Sequence, residues 1–229
     1  MDRKNFIGVL VVAIIVMAIA LSIPGREHDA RTDLPWLITP TETGLIEVFG
    51  LTIGHSTLKQ VENKFQEPAE VSLFERGDDR VRVVEAYFDR ILLSAIKAQV
   101  VVVIDASIED MERFYKGGTR IAKMGNGGRK VSLNSADLEL LYQMPIHSMT
   151  YIPKAKLNAE LLTQRFGVPQ QKVVEEKAKV THWLYPDKGL DIVLNESGKA
   201  VFQYLPPKDF SEITVPLQAL AKDQAGVEQ

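Results

Sequence analysis

The sequence predicts an α+β fold in which an N-terminal transmembrane helix precedes two related helix-on-antiparallel-sheet units. Three observations lead to this prediction. An uncharged run extends without interruption from Phe6 to Ile23, which is long enough to span a bilayer. After it, short β-branched runs alternate with stretches whose apolar residues recur at helical spacing. Finally, a helix, a proline and a meander of strands follow one another twice along the chain.

The composition is that of a globular protein. Of the 229 residues, 45% are hydrophobic and 25% are charged, which excludes disorder of the whole chain. The formal net charge of −3 argues against a nucleic-acid partner, because such binders need a basic excess to contact phosphates. The chain has no cysteine, so disulfides, a thiolate nucleophile and a cysteine-bound metal or lipid are excluded. No cofactor is predicted.

The apolar run Phe6–Ile23 predicts the membrane as a partner. Arg3 and Lys4 precede the run, whereas the flank after it carries both signs, so the positive-inside bias places the N-terminus in the cytoplasm. This pattern predicts a single-pass protein of a bacterial inner membrane with a periplasmic body. The alternative is a signal peptide cleaved near Ala18-Ile19-Ala20, which would release the body into the periplasm. In a lumenal eukaryotic protein, Asn195-Glu196-Ser197 would be a glycosylation site.

The membrane segment at residues 1–23 is followed by a predicted tether at residues 24–43. Gly25 to Asp33 is charged and lacks periodicity. The next four residues, Leu34 to Leu37, are apolar and include Trp36. This tryptophan either seals the edge of the folded body or lies at the membrane interface.

The first α+β unit is predicted at residues 44–118. Thr57 and Gln60 match a capping box, after which Leu58, Val61 and Phe65 recur at helical spacing until Pro68 ends the helix. A second, short helix is predicted after the cap of Ser107 and Asp110, and it bears Ile108, Met111 and Tyr115. The β-branched runs predict strands at 46–51, 71–75, 81–88 and 98–105.

A connecting segment and a second α+β unit follow. Residues 119–145 predict a hairpin around Asn126-Gly127 and a short helix from Ser135 through Leu141. The second unit, at residues 146–210, opens with a strand at 146–152 and a helix from Lys156 to Phe166. Its later strands are predicted at 172–175, 180–185, 190–194 and 201–205. A weak helix around Leu217 and Leu220 is predicted in the C-terminal tail at residues 211–229.

The second unit resembles a known family of small envelope domains. Its helix ends in Phe166-Gly167-Val168-Pro169, and His182-Trp183-Leu184-Tyr185 and Gly189-Leu190-Asp191-Ile192 follow. This order is similar to the outer-membrane assembly domain BamE, also called OmlA or SmpA. Two such units in tandem resemble the β-lactamase inhibitor protein fold. The resemblance implies a helix on an antiparallel sheet and a role in envelope assembly, but the lipid-bearing cysteine of that family is absent here.

Four aromatic residues of the second unit are the candidate partner-binding residues. Trp183 and Tyr185 alternate along one strand, and Phe202 and Tyr204 alternate along another, so each pair lies on one face. They either pack under the helix of the second unit or face outward. In the outward arrangement they would form an aromatic surface that binds a protein of the envelope.

The glycine-rich stretch 125–128 is flanked by Lys123, Arg129 and Lys130, which are the candidate anion-contact residues. The stretch lacks the Gly-Lys-Ser/Thr end of a phosphate-binding loop, so a hairpin turn with solvated charges is the alternative.

No catalytic residue and no metal site are predicted. The four histidines, at positions 28, 55, 147 and 182, lack the spacing of a helical metal site, and no nucleophile-elbow motif is present. The sequence therefore favours a non-catalytic, membrane-anchored extracytoplasmic interaction module that assists assembly or stability of a membrane complex. A small-ligand domain with a cleft between the two units is the first alternative. An envelope enzyme with dispersed catalytic residues is the second.

Overall fold

Ten antiparallel strands form one continuous sheet in the computed structural model, which describes residues 34–76, 80–125 and 127–227. The strands are β1 (Thr39–Pro40), β2 (Ile46–Val48), β3 (Leu51–Ile53), β4 (Glu70–Arg76), β5 (Val81–Leu93), β6 (Ile96–Ile104), β7 (Arg120–Lys123), β8 (Arg129–Ser132), β9 (Ile146–Pro153), β10 (Gln171–Glu175), β11 (Val180–Tyr185), β12 (Leu190–Asn195) and β13 (Ala200–Tyr204). The order in the large sheet is β10-β11-β12-β13-β9-β6-β5-β4-β8-β7, and β1 to β3 form a small separate sheet. The predicted α+β class is confirmed.

Five α-helices accompany the strands in the described part of the chain. They are α1 (Leu58–Phe65), α2 (Ile108–Gly117), α3 (Ser135–Leu141), α4 (Ala159–Phe166) and α5 (Ser211–Val227). The predicted membrane segment Phe6–Ile23 lies outside the described residues. From Leu34 onward, no described helix has both the length and the apolar character that a membrane crossing needs.

The helix caps follow the local sequence. Thr57 accepts a hydrogen bond from the backbone of Gln60, whose side chain in turn accepts from the backbone of Thr57, so the predicted capping box of α1 is confirmed. Helix α4 begins later than expected, because Asn158 caps it and Lys156 precedes it. In α2, Phe114 is buried, Met111 and Tyr115 pack half-buried against the core, and Ile108 is exposed.

Two tight turns alter the predicted strands. The run expected as one strand at 46–51 is a hairpin of β2 and β3, because Phe49 and Gly50 both adopt positive φ. Strand β5 extends to Leu93 and joins β6 through Ser94 and Ala95, which also have positive φ. The β7–β8 hairpin predicted as a connection belongs to the large sheet, since β8 pairs with β4.

The alternation of side chains gives the large sheet two different faces. The covered face carries a row of buried residues in register across five strands, from Ala86 on β5 through Val102, Met149 and Tyr204 to Leu190 on β12. Helices α1, α2 and α4 bury their apolar side chains against this face. Phe65 of α1 contacts Phe88, and Phe166 of α4 contacts Phe202.

The open face of the sheet carries the neighbouring row, which is only half-buried. Tyr87, Val101, Thr150 and Gln203 stand in register on β5, β6, β9 and β13. Helix α5 covers the β10–β13 end of this face. Its Leu217 and the preceding Phe210 form a small apolar cluster with Leu184 and Leu205.

Candidate functional site

The four aromatic residues predicted to bind a partner are core residues. Trp183, Tyr185, Phe202 and Tyr204 are all buried on the covered face. The ring of Phe166 on α4 lies 6.3 Å from that of Tyr185 and 5.5 Å from that of Phe202. The hydroxyl of Tyr185 donates to the carbonyl oxygen of Gly167 at 3.0 Å. Their assignment as a partner-binding surface is therefore corrected, because α4 and its flanks remove them from solvent.

Trp36 belongs to a strap, residues 34–37, that lies across the core. Its ring makes an edge contact with Phe166 at 6.4 Å, and the guanidinium of Arg165 lies 4.7 Å from the indole centroid. Beside it, the carbonyl oxygen of Pro35 accepts a buried hydrogen bond from Tyr204. Of the two roles predicted for Trp36, sealing the edge of the body is the one that these contacts support.

The open face of the sheet is a candidate binding surface. Apolar side chains occupy its centre: Phe74, Val83, Val101, Val103 and Ile152, each with part of its surface exposed. Small polar residues such as Ser148 and Thr150 alternate with them. A groove of about 350 Å³ crosses the face between Phe74 and Tyr87. An apolar centre on a flat sheet is a surface that a second protein can cover.

Ion pairs and hydrogen bonds surround this apolar centre. Lys130 donates to Glu70 at 2.6 Å, and Arg76 pairs with Glu85 at 2.7 Å. At another margin, the hydroxyl of Tyr87 donates to the carboxylate of Asp89 at 2.8 Å, and Gln99 contacts both groups. Those hydrogen bonds from Gln99 and Tyr87 lower the pKa of Asp89. The arrangement, apolar inside and polar at the rim, is that of protein interfaces.

The three candidate anion-contact residues do not converge. Arg129 donates to Glu75 at 3.1 Å and to the hydroxyl of Tyr115 at 2.6 Å. Lys130, the next residue, points to the opposite face of β8, where it pairs with Glu70. Lys123 is exposed on β7. Because two of the three cations are engaged with carboxylates on different faces, the structure does not bring them together around one anion.

A charge cluster around the buried Glu75 joins α2 to the sheet. Arg82 pairs with Glu75 at 2.9 Å and with Glu112 of α2, and its guanidinium stacks 4.0 Å from the ring centroid of Tyr115. Burial lowers the pKa of Arg82, but hydrogen bonds to Glu112 and Glu75 outweigh it and raise the pKa overall. The guanidinium therefore stays charged, and the cluster holds α2 in place.

A second buried cluster, which the sequence did not indicate, contains His182, Asp191 and Glu175. The Nδ1 of His182 lies 2.8 Å from Asp191 Oδ2, and its Nε2 lies 3.5 Å from Glu175 Oε2. Asp191 is fully buried, and its Oδ1 has no hydrogen-bond partner among the described residues. The register of the β11–β12 hairpin places His182 and Asp191 diagonally opposite each other. The one sequence feature that could have indicated this cluster is the aspartate inside the apolar run 190–194.

Burial and charge act in opposite directions on the His182 cluster. Burial lowers the pKa of His182, but the hydrogen bond and charge of Asp191, followed by those of Glu175, raise it above its usual value. Burial raises the pKa of Asp191, and His182 offsets this only in part. With a carboxylate at each ring nitrogen, the imidazole is a donor in an ion-pair network rather than an accessible base.

The other described histidines are separate from this cluster. His55 is exposed, and His147 pairs with Glu212 at 2.9 Å, which ties β9 to α5. His28 lies outside the described residues. Within the described part of the chain, no group of three or more His, Asp or Glu residues has the geometry of a metal site.

Two cavities bear on the small-ligand alternative. The cavity between the strap, Ile96 and the second unit is almost wholly apolar, but it holds only about 40 Å³, far below the volume of a typical ligand site. The larger groove, about 510 Å³, is open and lies at the β10–β12 margin, where Lys172 Nζ is 3.6 Å from the ring centroid of Trp183. The first cavity is therefore too small for a ligand, and the second, although its lining includes Lys179, Thr181 and Asn195, is open to solvent.

Comparison with known proteins gives little further information. No protein-family model matches the chain, and no curated protein matches it. Among solved structures, it is similar to a DUF4309 family protein, YjgB from Bacillus subtilis subsp. subtilis str. 168. The two chains are 14% identical, and the match covers 71% of this chain and 88% of that chain with a TM-score of 0.35. A likeness at this level supports no conclusion about fold or function.

Proposed function

We propose that this protein is a non-catalytic interaction module, anchored to a membrane by Phe6–Ile23, whose open sheet face binds a protein partner in the cell envelope. The observation that carries the proposal is the half-buried apolar centre of the open face, formed around Val101 and Val103 and bordered by ion pairs. The described titratable clusters are closed ion-pair networks, which is consistent with binding rather than chemistry.

Membrane attachment is the second part of the proposal. The uncharged run Phe6–Ile23, preceded by Arg3 and Lys4, supports a transmembrane helix with a cytoplasmic N-terminus and a periplasmic body. Cleavage near Ala18-Ile19-Ala20 would instead give a free periplasmic protein with the same binding face.

The body itself is proposed to consist of two related units. Helix α1 followed by β4, β5 and β6, and helix α4 followed by β10 to β13, share an order along the chain. This order supports the resemblance to tandem BamE-like units and to the β-lactamase inhibitor protein fold. On that resemblance, a role in assembly or stability of a membrane complex is the expected use of the face.

A site-specific crosslinking experiment on the full-length chain tests the partner-binding proposal. A photoreactive amino acid replaces Val101 or Thr150 on the open face, and a third version replaces Ile108, which is exposed on α2 outside this face. After irradiation in native membranes, the crosslinked products are isolated in mild detergent and identified by mass spectrometry. We expect one protein in stoichiometric amount from positions 101 and 150.

The version with the photoreactive residue at position 108 is the control that separates a specific partner of the open face from random crosslinking. Equal crosslinking from position 108 would mean that the open face has no special role. If positions 101 and 150 give no product while the chain stays in the membrane, the face has no partner and the interaction proposal is wrong. Recovery of the chain in the soluble fraction would contradict the membrane anchor but not the partner-binding role of the open face.

A further inference from the structure

We propose that the end of the body beside Trp36 rests on the surface of an anionic lipid bilayer. We name it the strap end and define it by the strap, 34–37, the β5–β6 turn, the loop at 154–158 and the turn at 195–199. The inference rests on the membrane attachment proposed above and adds which surface of the body faces the lipid.

Chain continuity selects this end of the molecule. Pro35 and Trp36 line one apolar cavity together with Ile96, Pro153 and Ala155, so the chain joins the body where β6 begins and β9 ends. Residues 24–33 separate the apolar run from the strap. Ten residues extend at most about 35 Å, which keeps the strap end near the membrane surface if the run is inserted.

Free positive charge is concentrated at the strap end. Lys97, Lys154, Lys156 and Lys199 are all exposed, and none forms an ion pair with a described residue. Their loops are joined by backbone hydrogen bonds: Lys154 N donates to Lys97 O at 2.8 Å, and Leu157 N donates to Gly198 O at 2.8 Å. Clustered lysines next to a membrane segment attract anionic lipid headgroups.

The acidic side chains at this end offset part of the positive charge. Glu67 lies 3.7 Å from Arg90, whereas Asp89 accepts hydrogen bonds from the neutral groups of Tyr87 and Gln99 and keeps its negative charge, on which Lys154 acts. Glu160 occupies the first turn of α4, where the helix dipole favours its charge. Glu196 lies in the turn that also carries Lys199, so the four lysines exceed the three acids without a paired cation, Asp89, Glu160 and Glu196, by one charge.

An apolar tip accompanies the lysines. Leu92, at the end of β5, leaves 64% of its surface exposed. The turn that follows it, Ser94-Ala95, is exposed and precedes half-buried Ile96. Leu92 stands opposite Lys97 in the β5–β6 hairpin. An exposed leucine next to lysines is suited to enter the headgroup region of an anionic bilayer.

The opposite end of the sheet provides a matched control position. Ile108, four residues beyond the end of β6, is 85% exposed and equally apolar. Strand β6 has nine residues, so the two ends are about 27 Å apart. Because the chain has no cysteine, Leu92→Cys and Ile108→Cys each give a single labelling site in the full-length protein.

The test places a polarity-sensitive fluorophore at each cysteine and reconstitutes the full chain into vesicles. Vesicles contain phosphatidylcholine alone or with phosphatidylglycerol, and an aqueous quencher reports access to water. With the anionic lipid, we expect quenching at position 92 to fall severalfold and its emission to shift to the blue. The label at position 108 should stay fully accessible in both lipids.

A charge variant tests whether the lysines cause the contact. Combining Lys97→Gln, Lys154→Gln, Lys156→Gln and Lys199→Gln should return the position-92 label to water without changing the circular dichroism spectrum. Replacing Lys123 and Lys208, which lie away from the strap end, should leave the label protected. An unchanged position-92 label in the fourfold variant would overturn the proposal.

Flotation of the same vesicles separates the two hypotheses. If the protein floats with the vesicles but both labels are accessible to the quencher, or both are equally protected, the proposed orientation is wrong and the anchor stands. If the protein does not float, the membrane attachment fails, and the orientation fails with it.

Discussion

Tyr204 donates a 2.9 Å hydrogen bond to the carbonyl oxygen of Pro35, which lies 169 residues earlier in the chain. Both groups are buried, so the bond fastens the strap to β13 in a setting that water does not reach. The neighbouring hydroxyl of Tyr151 is also buried, but it has no partner among the described residues. Burial raises the pKa of Tyr151 to about 12, so it stays protonated. The two tyrosines make a matched pair for mutagenesis.

The first prediction concerns these two hydroxyls. Tyr204→Phe should lower the free energy of unfolding by about 1 to 2 kcal/mol, because the Pro35 carbonyl is left buried without a donor. Tyr151→Phe should leave it unchanged or raise it, since a buried hydroxyl with no partner is removed. Urea unfolding followed by tryptophan fluorescence measures both. Equal losses in the two variants would contradict the assigned bond.

The second prediction concerns the pH dependence set by the His182 cluster. The pKa of His182 is raised above 6.5, so its stabilising contribution is complete below about pH 6.5 and is lost as the pH rises through the raised value. Burial also raises the pKa of Asp191, but the loss of stability that this causes begins near the ordinary carboxyl pKa of about 4, below this interval. The free energy of unfolding should therefore fall from pH 6 to pH 8.

Urea unfolding at a series of pH values measures this fall. The control is Asp191→Asn, which keeps the shape of the side chain but removes the charge that raises the pKa of His182. Its pH dependence should be flatter over the same interval. A slope that is identical in the variant would assign the pH effect to other groups.

The third prediction concerns strain in the β5–β6 turn. Ala95 has φ of 65°, a left-handed conformation that costs a residue with a Cβ about 1 kcal/mol or more and costs glycine little. Ala95→Gly should therefore raise the free energy of unfolding by up to about 1 kcal/mol. Thermal unfolding measures the change.

Ala155 provides the comparison for this turn. It is exposed in a loop and lacks a positive φ, so Ala155→Gly only adds freedom to the unfolded chain and should not stabilise the protein. Stabilisation by both substitutions would show that the turn conformation is not the cause.

The fourth prediction concerns Arg82. Arg82→Met removes the cation between Glu75 and Glu112, and Glu75 is almost fully buried. Glu75 would keep Arg129 but lose one of its two cationic partners, which should cost about 1 to 2 kcal/mol of stability. Arg76→Met, which breaks the more exposed pair with Glu85, should change stability by less than about 0.5 kcal/mol. Similar losses in the two variants would contradict the role given to burial.

Local patterns in the sequence predicted most secondary-structure elements, and particular residues show why. The capping box at Thr57 and the helical spacing of Leu58, Val61 and Phe65 depend on contacts within a few residues, so α1 is visible in the sequence. The hairpin of β2 and β3 was missed because a short apolar run does not distinguish one strand from two. Phe49 in a left-handed conformation was the deciding feature.

The candidate site depended on information that a single strand does not contain. The alternation of Trp183 with Tyr185 showed that the two share a face, but not which face α4 covers. Likewise, the β11–β12 register brings His182 beside Asp191, and the spacing of the two residues along the chain does not predict this contact. The open face became visible only when β6 and β9 joined the two halves into one sheet.

By itself, the sequence determined the α+β class, the helix caps at Thr57 and Ser107, most strands, the absence of cysteine chemistry and the apolar run that predicts a membrane anchor. These properties follow from composition and from short-range periodicity. The tertiary structure decided which sheet face is core, which charges are paired and that the strap is bound by Tyr204. Those outcomes depend on contacts between residues that are distant in sequence. Such contacts stabilise the protein only after the sheet has formed and water has been excluded from the core.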